Sequence, residues 1–180
     1  MSFHPVKHFA TITHHRHKVI ANCKRAGILW QGLRHDLSKY SPIEFFKGAR
    51  FYAGDHSPNV EERKAKGYSE AWLHHKGRNR HHFEYWTDYC AEKRKVVPIK
   101  MPFRYLAEMF CDRVAASKIY KGKAYKNSDP IEYFEGGREN RFIHPETSDM
   151  LEKLLRMLAE EGEDKTFAYL RKMIKEKKEY

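Results

Sequence analysis

The chain has few cysteines and no long apolar run. Its three cysteines, Cys23, Cys90 and Cys111, are widely spaced and form no CxxC pair, which favours reduced thiols over a disulfide framework. No segment approaches the roughly 20 apolar residues of a membrane-spanning helix, and MSFHPVKHF lacks the apolar centre of a signal peptide. We therefore expect an intracellular, cytoplasmic protein without a membrane partner.

Internal repeats and Gly/Ser-rich linkers are also absent, so the 180 residues suit one compact domain. The chain contains 35 Lys and Arg against 24 Asp and Glu, a formal charge of +11. A potential of this sign attracts anionic partners such as phosphates. We find no P-loop, zinc-finger spacing or nucleic-acid recognition motif, so nucleic-acid binding would depend on this charge and on stacking by Trp72, Tyr85 and Trp86.

Histidine, by contrast, is abundant. Seven of the twelve histidines fall in two short strings, HHRH at 14–17 and HHKGRNRHH at 74–82, and His35-Asp36 lies between them in HDLSKYS. A single histidine on an apolar helix face is commonly a hydrogen-bonded core residue. Four histidines within nine residues, together with a His-Asp pair, exceed what packing requires, because every buried imidazole needs a partner. Imidazoles and carboxylates hold Zn, Mn or Fe, so the pattern predicts a metal site.

Apolar spacing predicts a helix over Val6–Ala26 that stops at Gly27. His15 and His8 fall on its apolar stripe, whereas His14 and His17 do not.

Further helices are expected after the Ser41-Pro42 start signal, around Trp72 up to Gly77, and over Phe103–Ala115. Asn79 is expected to cap a helix that contains His81, His82, Phe83, Tyr85 and Trp86. The tail predicts a helix pair, 146–160 and 163–178, broken at Gly162. No segment indicates a strand, so the predicted fold class is all-α, a single-domain helical bundle.

Three basic residues near the histidines could bind a phosphate. Lys39 lies one helical turn after Asp36 and can hold a phosphate oxygen as a point charge. Arg78 and Arg80 flank the predicted helix start near His81, where free backbone amides also favour anions. As surface residues, all three would need no special role.

The order of these residues resembles the ligand order of the HD-domain superfamily of metal-dependent phosphohydrolases. HDLSK is similar to its HDxxK motif, and His81-His82 followed by Glu84 is similar to the paired histidines of its signalling-nucleotide phosphodiesterases. The resemblance implies a helical core of HD-domain type with one or two divalent ions (Mn, Fe, Zn, Ni or Co) and Asp36 bridging them. The implied ligands are His15, His35, Asp36, His75, His81, His82 and Asp112, although the doubled histidines leave the choice between His74 and His75 open.

The resemblance implies hydrolysis of a nucleotide or other small phosphoester, with Asp36 and Lys39 as catalytic residues and Lys39, Arg78 and Arg80 holding the substrate. Similar HD-type proteins hold two irons and act as oxygenases, so that chemistry is the first alternative. A non-catalytic module that binds nucleic acid, or one stabilised by a structural metal, is the second.

The strings HDLSKYSPIEFF, GYSEAWLHHKGRNRHHFEYW and MPFRYLAEMFCDR more closely resemble an uncharacterised bacterial and phage family of unknown function. This similarity covers most of the first 125 residues. We accordingly expect an HD-like metal-binding core at 1–125 and a C-terminal helical extension, packed on that core, at 126–180. The oligomeric state is left open.

Overall fold

The computed structural model describes residues 3–137 and 141–180 and is mostly helical in these ranges. In these ranges, three short 3-10 helices, Leu37–Tyr40, Phe83–Tyr85 and Gly122–Ala124, and one two-stranded sheet accompany the α-helices. The helices are α1 (Pro5–Ala26), α2 (Leu29–Arg34), α3 (Pro42–Arg50), α4 (Pro58–Lys66), α5 (Glu70–Lys76), α6 (Phe103–Lys121), α7 (Asp129–Glu135) and α8 (Pro145–Lys175).

Helix α1 is the longest of the N-terminal half and follows its apolar periodicity. Ile12, His15, Val19 and Cys23 recur at helical spacing and are buried. Gly27 ends the helix with φ 84°, a left-handed conformation that glycine adopts without steric cost, and its N–H reaches back to the Cys23 and Lys24 carbonyls. The predicted stop at Gly27 is confirmed, the helix begins one residue before the predicted start, and Phe9, which shares the predicted apolar stripe, is exposed.

The hydrophobic core lies where α1 and α6 meet α8. Leu106, Phe110 and Val114 of α6 are fully buried there, as are Leu151 and Leu154 of α8. Burial of such side chains is the main favourable term in folding, at roughly 1.5–3 kcal/mol each. The C-terminal helix therefore packs on the same core as the N-terminal helices, while the proposed division near residue 125 stays a prediction.

The region after α5 differs from the sequence prediction. The prediction of a helix that contains His81, His82, Phe83, Tyr85 and Trp86 is wrong. His81 and His82 lie in a turn, and the short 3-10 helix Phe83–Tyr85 follows it. Since no helix begins after Asn79, this residue is not a cap. Its side-chain amide instead donates hydrogen bonds to Ser38 Oγ and to the His75 carbonyl.

An antiparallel hairpin follows, β1 (Thr87–Cys90) and β2 (Lys95–Pro98), with Tyr89 opposite Val96. The expectation that no segment forms a strand is therefore also wrong. Thr, Tyr and Val favour strands, but a hairpin this short gives little period-two signal in the sequence. The fold is mostly helical with a small sheet.

The tail forms one long kinked helix. Gly162 interrupts α8 with φ 83° and ψ 175°, so that two helical segments meet at an angle where the sequence predicted a break. The second segment ends at Lys175, three residues earlier than expected. Within the ranges described above, no helix is long and apolar enough to cross a membrane.

Candidate metal centre

Five separate segments bring the seven predicted ligands together. His15 comes from α1, His35 and Asp36 from the junction after α2, His75 from α5, and Asp112 from α6; His81 and His82 come from the turn that follows α5. Two groups of donor atoms result, in each of which the atoms lie within 4.8 Å of one another. One group contains Asp36, His75, His81 and His82; the other contains His15, His35, Asp36 and Asp112.

Asp36 belongs to both groups and turns one oxygen towards each. Its Oδ1 lies 3.2 Å from His75 Nε2 and 3.5 Å from His81 Nε2. Its Oδ2 lies 3.2 Å from His35 Nε2 and 4.0 Å from His15 Nε2. This placement is the one a carboxylate needs if it is to bridge two ions.

Asp112 and His82 complete the two groups. Asp112 Oδ1 lies 2.9 Å from His15 Nε2 and 3.6 Å from His35 Nε2. His82 Nε2 lies 2.9 Å from His75 Nε2, so these two ring nitrogens face the same point. Each of the two groups therefore offers nitrogen and oxygen donors together.

The backbone at Asp36 is unusual. Asp36 has φ 54° and ψ 24°, in the left-handed region, and it separates α2 from the 3-10 helix Leu37–Tyr40. Asp tolerates this conformation better than most residues, but it is still sparsely populated, and such outliers cluster at functional sites. The abrupt turn lets His35 and Asp36 both face the cluster.

Glu108 orients two of the imidazoles. Its Oε1 accepts a hydrogen bond from His35 Nδ1 at 2.9 Å and lies 3.3 Å from His81 Nδ1. With Nδ1 carrying the proton, each ring presents the lone pair of Nε2 to the cluster, as metal-bound histidines generally do.

Glu44 has the corresponding role at α5. Its two carboxylate oxygens lie 2.6 Å from His74 Nδ1 and 2.8 Å from His75 Nδ1. Only the His75 ring turns its second nitrogen towards Asp36, so the structure brings His75 into the cluster and leaves His74 outside it.

Among residues 3–137 and 141–180, several buried nitrogen and oxygen atoms of the cluster have no hydrogen-bond partner. They include Asp36 Oδ1, His35 Nε2 and His81 Nε2. His15 Nε2 also lacks one among the described residues, although it lies 2.9 Å from Asp112 Oδ1. Buried polar atoms without partners cost free energy. A divalent ion would satisfy them, and the nitrogen and oxygen donors suit Zn, Mn, Fe, Ni or Co.

Charges within the cluster shift its pKa values strongly. Burial alone would lower the pKa of His35, but Asp36, Asp112 and Glu108 raise it well above the usual value. Burial likewise opposes ionisation of Asp36, yet His35, Lys39 and His75 hold its pKa well below normal. The carboxylates therefore stay ionised and ready to bind cations over the whole ordinary pH range.

Lys39 lies beside the shared carboxylate. Its Nζ is 2.6 Å from Asp36 Oδ2 and its side chain is 30% exposed, so the ammonium reaches both the cluster and solvent. Burial disfavours its charge, but the Asp36 and Asp112 carboxylates raise the pKa of Lys39 above the ordinary lysine value. Lys39 is therefore a permanent cation at the edge of the centre.

Arg78 and Arg80 are not in the cluster. Both are exposed; Arg78 donates to the His74 carbonyl, and Arg80 donates to Tyr105 Oη. The predicted substrate contacts of these two arginines stay predictions that no contact in the structure supports.

The remaining histidines of α1 are exposed or buried as their positions around the helix predict. His14 and His17 are exposed. His8 is buried away from the cluster, where its ring packs against Phe45 and Tyr52.

Sequence reasoning missed Glu44 and Glu108. Glu108 precedes Asp112 by four residues on α6, and such a pair lies on one helix face, so this spacing could have indicated it. Glu44 lies in the first turn of α3. Its contact with His74 and His75 is a tertiary one that no local pattern indicates.

Comparison with known proteins gives a family but no function. No curated protein and no solved structure matches the chain. A family model described as "Family of unknown function (DUF5662)" matches residues 4–157, which include every residue of the centre. The chain therefore belongs to the DUF5662 family.

Proposed function

We propose that this protein is a metal-dependent phosphohydrolase of HD-domain type that acts on a nucleotide or another small phosphoester. The observation that carries the proposal is the sharing of Asp36 between two groups of buried donors, one on each carboxylate oxygen. The order of the ligands along the chain, with HDLSK at 35–39, also supports it.

Different residues of the chain would bind the ions, bind the phosphate and align the imidazoles. His15, His35, Asp112 and Asp36 would hold one ion, and His75, His81 and His82 would hold a second through the other Asp36 oxygen. Bound divalent ions lower the pKa of water and neutralise phosphoryl charge. Lys39 would turn from Asp36 to a phosphate oxygen and hold it as a point charge. Glu108 and Glu44 would keep the imidazoles aligned.

Metal content is the first test. We expect one or two equivalents of Mn, Zn, Ni or Co per chain by elemental analysis, and their loss in the double variant His35→Ala, Asp36→Ala. His14→Ala is the matched control for His15→Ala, because both lie on α1 but only His15 is buried in the cluster. A wild-type chain that binds no metal even after reconstitution would end the proposal, and tightly bound iron would favour the oxygenase.

Turnover is the second test. The metal-loaded protein would be screened against nucleotides and other small phosphoesters, with phosphate release as the signal. We expect Asp36→Ala to abolish release and Lys39→Met to raise KM or lower kcat while keeping the metal. Full turnover by Asp36→Ala would contradict the assignment of the centre.

A further inference from the structure

Basic residues are concentrated in one segment of the chain, residues 76–104. It contains eight Lys and Arg against three Asp and Glu, so about one sixth of the chain carries five of its eleven excess positive charges. Of these eight cations, only Lys100 pairs with a carboxylate among the described residues, that of Glu146. On the adjoining helix α6, Glu108 is buried against His35 and His81 and lies away from solvent. The other cations of the segment are available to an anionic partner.

The β1–β2 hairpin carries three of these cations at its outer end. Lys93, Arg94 and Lys95 are all exposed. At the base of the hairpin, the Ile99 N–H donates to the Trp86 carbonyl at 2.8 Å. Since a strand rises about 3.3 Å per residue, the four-residue strands place these charges roughly 13 Å from that base.

Aromatic rings and arginines stack beside the base of the hairpin. The Trp86 ring lies 5.3 Å from the Tyr85 ring and 5.5 Å from the Tyr105 ring. The Arg80 guanidinium lies 5.7 Å from the centre of the Tyr85 ring and 5.9 Å from that of Tyr105. Arg104 lies 5.4 Å from the Tyr105 ring on its other contact. Tyr85 is 36% exposed and both arginines are exposed, so ring and guanidinium planes face solvent.

We propose that this surface, formed by the β1–β2 hairpin with Arg78, Arg80, Tyr85 and Arg104, binds single-stranded nucleic acid. The cations would contact phosphates, while Tyr85 and the guanidinium planes would stack with bases. A single strand suits the surface better than a duplex, because its bases are unpaired and can reach these planes. The surface contains none of the seven ligand candidates, so the proposal holds whether or not the metal centre hydrolyses phosphoesters.

The charges are tested by fluorescence anisotropy of a labelled oligothymidylate of about 15 nucleotides, titrated with the full-length protein at several salt concentrations. We expect the double variant Lys93→Gln, Lys95→Gln to weaken binding about 3–10-fold. The slope of log K against log salt should become less steep by roughly one to two, because one or two phosphate contacts are lost.

The matched control is the double variant Lys123→Gln, Lys126→Gln, which removes the same charge. Both lysines are exposed and lie beyond the far end of α6, about 28 Å along that helix from Arg104. The affinity of this control should stay close to that of the wild type. Equal loss of affinity in the two double variants, or no loss in either, would overturn the proposed surface.

Stacking is tested separately from charge. Tyr85→Ala should weaken binding about tenfold, because it removes one base-stacking ring. Tyr133→Ala removes a ring that is 75% exposed on α7 and should leave the affinity unchanged. Circular dichroism of each variant would confirm that it is folded. Wild-type affinity in Tyr85→Ala would overturn the stacking contact.

Competitors decide which partner the surface recognises. Unlabelled oligothymidylate and oligouridylate, of the same length as the labelled strand, would show whether DNA or RNA binds more tightly, and strong competition by either supports the proposal. A duplex of that length and inorganic polyphosphate should compete more weakly. If the duplex or the polyphosphate competed as well as the single strands, the surface would be a general polyanion site and the proposal would be wrong.

Discussion

At the scale of single residues, Glu108 is the group that would orient two imidazoles of the proposed metal centre. Its carboxylate contacts the Nδ1 atoms of both His35 and His81, and these contacts hold its own pKa down to about 2 against the effect of burial. Glu108→Gln should weaken metal binding by about 10–100-fold, because an amide can present an N–H to one ring and destroy its alignment. Competition with a chromophoric chelator would measure the change.

Glu132→Gln is the control for this prediction. Glu132 is an exposed carboxylate on α7, and its replacement makes the same change of charge away from the histidines. Equal metal affinity in the Glu108 and Glu132 variants would show that Glu108 does not orient the ligands.

The burial of His8 leads to a prediction of how the free energy of unfolding depends on pH. Burial, and to a smaller extent Lys39, lower the pKa of His8 to about 4 from an ordinary 6.5. Between these two values the unfolded chain binds more protons than the folded chain, so the free energy of unfolding falls as the pH falls. The loss from this group amounts to at most about 3 kcal/mol across the interval.

The variant His8→Leu should remove that contribution. Denaturant unfolding of the metal-free protein at pH 7, 5.5 and 4.5 would show a smaller loss of stability on acidification than in the wild type. His14→Leu, which replaces an exposed histidine of the same helix, should keep the wild-type dependence. Parallel pH dependences in wild type and His8→Leu would contradict the prediction.

At the scale of the helices, Gly162 permits the kink in α8. Its φ of 83° with ψ of 175° is a conformation that side-chain-bearing residues rarely adopt. An added Cβ would meet only Asn127 Nδ2, at 3.9 Å, so any cost comes from the backbone rather than from a clash. Gly162→Ala should therefore lower the free energy of unfolding by about 1–3 kcal/mol.

Gly136→Ala is the matched control, because Gly136 has φ −59° and ψ −16°, a right-handed conformation that alanine adopts freely. Its stability should be unchanged or up to about 1 kcal/mol higher. Thermal and denaturant unfolding would measure both variants. Equal stability of the two would mean that α8 straightens at little cost.

The helices also show how far local pattern predicts this structure. Periodicity correctly gave α1 and selected His15 over His14 and His17, because a helix face is a local property of the sequence. The break at Gly162 was equally local. The turn at 81–82 was not predictable in this way. The aromatic residues that follow it, Phe83, Tyr85 and Trp86, are compatible with a helix or a strand, and tertiary contacts decide which structure forms.

The candidate site likewise combines features that the sequence predicts with features that only tertiary contacts determine. The identity of the seven ligand candidates came from residue type, order and resemblance, whereas their sharing of Asp36 depends on a left-handed backbone at that residue. Glu44 reaches His75 across 31 positions of sequence, a contact that a single sequence does not reveal. The arginines chosen for their place near the histidines, Arg78 and Arg80, instead make contacts outside the cluster.

At the scale of the whole molecule, the cluster links α1, α5 and α6 with the junction after α2 and the turn after α5, so metal binding should stabilise the entire fold. An ion that binds only the folded chain adds about 2.7 kcal/mol at 100 times its Kd. For a chain of this size, that corresponds to a Tm increase of roughly 5–10 °C.

This stabilisation should itself depend on pH, because protons compete with the ion for the same nitrogens. The pKa values of His35 and His75 are raised, in both cases because neighbouring carboxylates outweigh the effect of burial. Metal binding must therefore displace protons from these rings below their raised pKa values, and affinity increases as the pH rises through them. The Tm increase on adding Mn or Zn should be larger at pH 8 than at pH 6. Scanning calorimetry of the chelated and reconstituted protein would measure it, and an equal increase in the double variant His35→Ala, Asp36→Ala would show that the ion stabilises the fold from some other place.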